Sequence, residues 1–141
     1  MRFSEFTIGE TYTTTKVIVT EKEIVQFAKQ YDPQYFHVDK SAAEASPYGA
    51  LIASGFHTIG VVWAEWIKMD ILSTDCLGGI NAQIEWSKPV KPDDELYGVI
   101  TVLDKEGSRN GGRGLVTFGM EIFNQDELCV SKCTMKIFIR D

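Results

Sequence analysis

The chain has 141 residues, 44% of them apolar and 24% charged, with a formal net charge of −6. That length buries a working core without staples, and the balance excludes a disordered chain. It also excludes a general nucleic-acid binder, because phosphate backbones are gripped by clustered Lys and Arg, although Lys88, Lys91, Arg109 or Arg113 near loops could hold a small phosphorylated ligand.

Cys76, Cys129 and Cys133 form an odd set without a CxxC pair. They suggest neither a disulfide framework nor a zinc site, and free thiols fit a reducing cytoplasm. The N-terminal MRFSEFTIGE lacks a signal-peptide apolar core, and no run approaches the roughly 18 apolar residues of a membrane helix. The expectation is one soluble, unprocessed cytoplasmic domain over residues 1–141 with no membrane partner.

Residues 11–19, rich in Thr, Val, Ile and Tyr, read as a first strand. Thr20 and Glu23 then form a capping box that opens a helix, with Ile24, Val25, Phe27 and Ala28 on its buried side. Pro33 disfavours helical backbone at the residue before it, so the helix ends near Tyr31 and leaves Asp32 on extended loop. Asp39 caps a short Ala-rich helix over 40–45, and Ser46-Pro47-Tyr48-Gly49 turns the chain. Ser54 or Gly55 starts a longer helix in which Ile59, Val62, Trp63, Trp66 and Ile67 recur at helical spacing to about Met69. Gly60 inside it either lets a sheet or second helix come close or is a tolerated glycine with no role.

From 80 to 87 the pattern alternates, Ile80, Ala82, Ile84 and Trp86 on one side, Asn81, Gln83, Glu85 and Ser87 on the other, which marks a strand. Three more strands follow over 96–103, 115–123 and 128–139, separated by turns at 105–112 and 124–127. This order predicts an α+β architecture in which an antiparallel sheet wraps one long central helix.

Both histidines, His37 and His57, fall in one short window with Asp32, Asp39, Ser54 and Gly55. Imidazole exchanges protons near neutral pH, and a carboxylate on the same loop can orient the ring or share a water with it. Alone, Asp32 before Pro33 is an ordinary turn former and His37 an ordinary loop histidine; together they make a candidate acid/base pair. Gly55 adds a helix start, whose free N–H groups and positive dipole end stabilise a developing oxyanion, though from spacing alone it reads as a cap or hinge. His57, a little further in, reads more readily as a core residue than as a catalyst.

The run YDPQYFHVDKSAAEASPYGALIASGFHT resembles the motif of the MaoC-like hydratase/dehydratase family, the (R)-specific enoyl-CoA hydratases. That motif is Asp, five residues to His, Asp two further on, and later a small residue before Gly at a helix start, met here by Asp32, His37, Asp39 and Ser54-Gly55. The resemblance continues through Gly78-Gly79, the stretch from Lys88 to Asp94, and Asn124-Gln125. It implies the hot-dog fold. It implies further that Asp32 and His37 hold a water for addition across a trans-2-enoyl thioester, that the Gly55 N–H binds the thioester oxygen, and that Gln34, Ser54 and His57 sit with the substrate. The partner would be a CoA or acyl-carrier thioester and the assembly a homodimer, with no metal or cofactor.

The sequence departs from the family at three places: Pro33-Gln34 where one residue and Asn-Pro are usual, Ser54 where His is common, and Pro92-Asp93-Asp94 in place of Pro-Gly-Asp. A hot-dog thioesterase and a non-catalytic acyl-binding subunit are the competing readings. The tryptophans and Phe56 either fill the core or shape an acyl tunnel.

Overall fold

The computed structural model describes residues 1–141. Two short strands, β1 (Thr11–Thr13) and β2 (Val17–Ile18), lead into three helices, α1 (Glu21–Tyr31), α2 (Tyr35–Val38) and α3 (Lys40–Glu44). The long helix α4 (Gly55–Lys68) follows, then β3 (Cys76–Trp86), β4 (Glu95–Gly107), β5 (Arg113–Phe123) and β6 (Cys129–Arg140). The strands are antiparallel in the order β1-β4-β5-β6-β3, with β2 also on β4. This is the hot-dog arrangement expected from the sequence, with α4 packed on the concave face.

The strand expected over 11–19 is split, and Thr14 is the reason. Its N–H donates to the Gly98 carbonyl at 2.9 Å. Its own hydroxyl oxygen, rather than a main-chain carbonyl, accepts the Gly98 N–H at 2.8 Å. A side chain thus completes the ladder there, and the backbone is released to turn before β2 rejoins β4. At the other end β4 runs on to Gly107 past a register shift at Leu103, so the expected turn at 105–112 shrinks to 108–112, where Gly111 and Gly112 supply positive φ.

The strand β5 alternates throughout, β4 as far as Val102 and β6 from Lys132 on, turning Leu96, Ile100, Val102, Val116, Phe118, Met120, Ile122, Ile137 and Ile139 inward. The helix contributes Val62 and Trp66, and the Trp66 indole meets Phe118 edge-on at 4.9 Å. Sheet and helix come closest at Gly98, where a β-carbon would lie 2.6 Å from Val62 Cγ1. Gly60 has open space around it, so the reading in which it admits a close neighbour is corrected: the glycines that do so include Gly98 on the sheet and Gly55 at the start of the helix.

The strand β3 hangs at the sheet edge with only β6 beside it. It begins at Cys76, earlier than the alternation at 80 suggested, and is exposed nearly throughout; Ile80 is 58% exposed and only Ile84 is half-buried. The alternation therefore marks a strand without marking a covered face. No helix is long and apolar enough to cross a membrane.

Candidate active site

Helix α1 starts on the Thr20 cap, whose Oγ1 accepts the Glu23 N–H at 3.2 Å, but the expected box does not close, because Glu23 Oε1 takes the Thr20 hydroxyl at 2.7 Å in place of the Thr20 N–H. It stops where Pro33 demands, leaving Asp32 at φ −155°, ψ 71°, its N–H still donating to the Ala28 carbonyl. Two residues on, the single turn α2, absent from the expected elements, swings His37 inward until it is only 4% exposed. Asp39 is spent on structure: its Oδ1 accepts the Ala42 N–H at 3.0 Å and caps α3.

The His37 ring is fixed by its hydrogen bonds. Nδ1 lies 2.7 Å from the Ile52 carbonyl oxygen, which can only accept, so Nδ1 carries the proton and donates. That leaves Nε2 facing Asp32 Oδ2 at 3.3 Å. The same Oδ2 accepts from the Ser54 hydroxyl at 2.7 Å, and Oδ1 accepts from Gln34 Nε2 at 2.9 Å. Burial alone pushes the Asp32 carboxyl up, but the hydrogen bonds from Ser54 and Gln34, joined by the charge and Nε2–H of His37 whenever that ring is protonated, outweigh it and hold the group below its ordinary value. At neutral pH it is a carboxylate, and an acceptor.

Ser54 stands at the N-cap of α4 yet makes no capping bond, because its hydroxyl is turned to Asp32. One side chain thereby ties the end of α1 to the start of α4 and leaves the first-turn N–H groups of α4, that of Gly55 first, without a side-chain acceptor. These groups and the helix dipole present positive potential to the pocket. The pocket holds about 400 Å³ and is lined by Asp32, His37, Gly55, Thr58, Trp86 and Lys88 among others.

Five of the six residues expected at the site gather here. Ser54 is fully buried, so it meets the carboxylate and not a ligand. Gln34 lines the pocket and also grips Asp32 through its Nε2–H. The sixth, His57, is not brought to the site: its ring stacks on Phe27 at 4.6 Å and 7° and borders a separate depression on α1. Its Nδ1 is buried without a partner, and burial depresses its pKa against the opposing pull of Glu23. Thr58, Lys88 and Trp86 also line the pocket, and sequence reasoning did not place them there: Lys88 stood as one of four candidates for a phosphorylated ligand, and Trp86 among the tryptophans that either fill the core or shape an acyl tunnel.

The MaoC-like domain model matches residues 3–121. A Bacillus subtilis (strain 168) protein, the uncharacterized protein YdeM, is 35% identical over 141 residues, covering 99% of each chain. Among solved structures, the MaoC-like dehydratase from Rhodospirillum rubrum superposes with a TM-score of 0.92 at 29% identity, over 99% of this chain and 97% of that one. The R-hydratase PhaJ1 from Pseudomonas aeruginosa shares the fold with a TM-score of 0.77 at 19% identity, over 98% and 84%. Since the matched model spans most of the chain and includes Asp32, His37 and Gly55, this chain belongs to the MaoC-like dehydratase family.

Proposed function

We propose that this chain adds water to trans-2-enoyl thioesters of CoA or an acyl carrier to give (R)-3-hydroxyacyl thioesters, or runs the reverse dehydration. The observation that carries the reading is the fixed tautomer of His37: with its proton on Nδ1, the basic Nε2 faces the anionic Asp32 at 3.3 Å in a pocket that also exposes the Gly55 N–H. A water held by Asp32 gives one proton to His37 Nε2 as its oxygen bonds to C3. The alkene electron pair moves toward the thioester oxygen, which the Gly55 N–H stabilises as it becomes enolate-like. His37 then returns the proton to C2, and the enolate collapses to the product. General acid/base groups give about 10²–10⁴-fold and an oxyanion donor about 10²–10³-fold, which together support an efficient hydratase.

The long free edge of β3, with Leu77 and Ile80 exposed on it, supports a homodimer, because an unpaired apolar edge invites a second copy. Light scattering at micromolar concentration tests this, and a monomeric mass would count against it. Activity is tested by loss of enoyl-thioester absorbance over a series of acyl chain lengths. Turnover that disappears in Asp32→Asn and His37→Gln is expected. No turnover with any chain length, full activity in both variants, or release of free thiol detected by a thiol-reactive dye would overturn the reading, the last in favour of a thioesterase.

A further inference from the structure

Trp86 is the last residue of β3, far in sequence from Asp32, His37 and Gly55. Its indole nevertheless lies on Gly55: a β-carbon there would collide with Nε1 and Cε2 and stand 2.7 Å from Cδ1. The nitrogen edge of the ring, rather than its benzene edge, therefore faces the start of α4. Phe56 meets the indole edge-on at 5.3 Å and 78°. The strand end beneath it is pinned, since Ser87 N–H and Lys88 N–H both donate to the Val130 carbonyl, at 2.9 and 3.2 Å. The hydrogen bonds of the site join Ser54, Gln34 and His37 to Asp32 and Ile52 and do not involve the indole N–H. Trp86 is 51% exposed and lines the pocket, so its polar edge, beside a free backbone donor, is placed for a ligand acceptor.

We infer that the Trp86 indole N–H is a second hydrogen-bond donor to the thioester oxygen, acting beside the Gly55 N–H. The inference rests on the hydratase reading for the identity of that oxygen. Two donors converging on one oxygen stabilise charge that grows during reaction more than charge already present, so their effect falls on kcat. The same placement explains why residue 55 lacks a side chain: the donor edge fills the space a β-carbon would take.

Trp86→Phe removes the N–H and keeps an aromatic wall against Phe56; Trp86→Ala removes both. Donation predicts that Trp86→Phe lowers kcat by on the order of 10-fold to 100-fold with KM within about twofold, most of the loss seen in Trp86→Ala. A packing role predicts wild-type kcat in Trp86→Phe and a rise in KM for Trp86→Ala, and that outcome would overturn the inference. A second readout does not depend on turnover. Infrared difference spectra of an enoyl thioester labelled with ¹³C at its carbonyl, bound to Asp32→Asn, should show a lowered carbonyl stretch that partly reverts when Trp86→Phe is added. An unchanged stretch in the double variant would refute donation even where turnover is absent, whereas failure of turnover alone with the stretch reverting would refute the hydratase reading and leave the donor standing.

Discussion

Ser54→Ala isolates the bond that sets the state of Asp32. The substitution deletes a hydroxyl donating to Oδ2 at 2.7 Å from a fully buried position, and leaves Gln34 on Oδ1 and His37 beside Oδ2. A hydrogen bond to a charged group is worth about 1.5–3 kcal/mol net, and this one is short and removed from water. Because that bond favours the ionised form, losing it raises the Asp32 carboxyl toward its ordinary 3.8. A carboxyl depressed in the folded state contributes stability that is fully present above its unfolded pKa and is lost as pH falls through the folded one. Ser54→Ala should therefore cost about 1.5–3 kcal/mol at pH 7 by chemical denaturation, with a smaller cost once Asp32 is protonated. Carboxyl ¹³C NMR titration should show the Asp32 midpoint moved up. An unmoved midpoint, with the same cost at both ends of the pH range, would refute the assignment of Ser54 as the group that holds the carboxylate.

Gly98→Ala places a methyl 2.6 Å from Val62 Cγ1 between sheet and helix and should destabilise by about 1–3 kcal/mol, with Val62→Ala recovering part of the loss in a double-mutant cycle. Gly60→Ala meets nothing within 4 Å on an exposed stretch of α4 and should stabilise by about 0.4–1 kcal/mol, read as a rise in Tm. His57, depressed by burial below its ordinary 6.5 though Glu23 pulls the other way, binds a proton less readily folded than unfolded. Wild-type stability should therefore fall as pH drops below that value, and His57→Phe, which keeps the stack on Phe27, should flatten the pH 5–7 limb in denaturant titrations.

What could be read from the chain was what depends on near neighbours. Pro33 stops α1 one residue early whatever lies around it, so the position of Asp32 was legible, and the Thr20 cap on Glu23 was legible because both partners sit within four residues, although the second bond of the box did not form. The single turn α2 was not, because four residues carry no periodicity, yet it decides where His37 points. The glycines show the same limit across space. Gly60 could be read from its place in an apolar helix either as a contact point or as a glycine with no role, whereas the close approach to Val62 belongs to Gly98 and is set by register between sheet and helix. Trp86 on Gly55 and Ser54 on Asp32 are pairings of that kind, and spacing alone could not have joined them.

The position of Trp86 also bears on how far the site depends on assembly. Its strand is the least covered in the fold, and its two ends are held differently. The Cys76 to Asn81 end has two register shifts and Gly78 at φ 125°, so its pairing with β6 is interrupted. The Trp86 end is in continuous register with β6 from Asn81 onward, is tied by the Ser131 hydroxyl donating to the Glu85 carbonyl at 2.8 Å, and is closed by the paired bonds to Val130. A second copy on the free edge would therefore do most to order the first end, while the pocket wall over Gly55 is built by contacts within one chain. For the proposed dimer, dilution to monomer should thus lower stability more than it changes the carbonyl polarisation of the proposed thioester ligand.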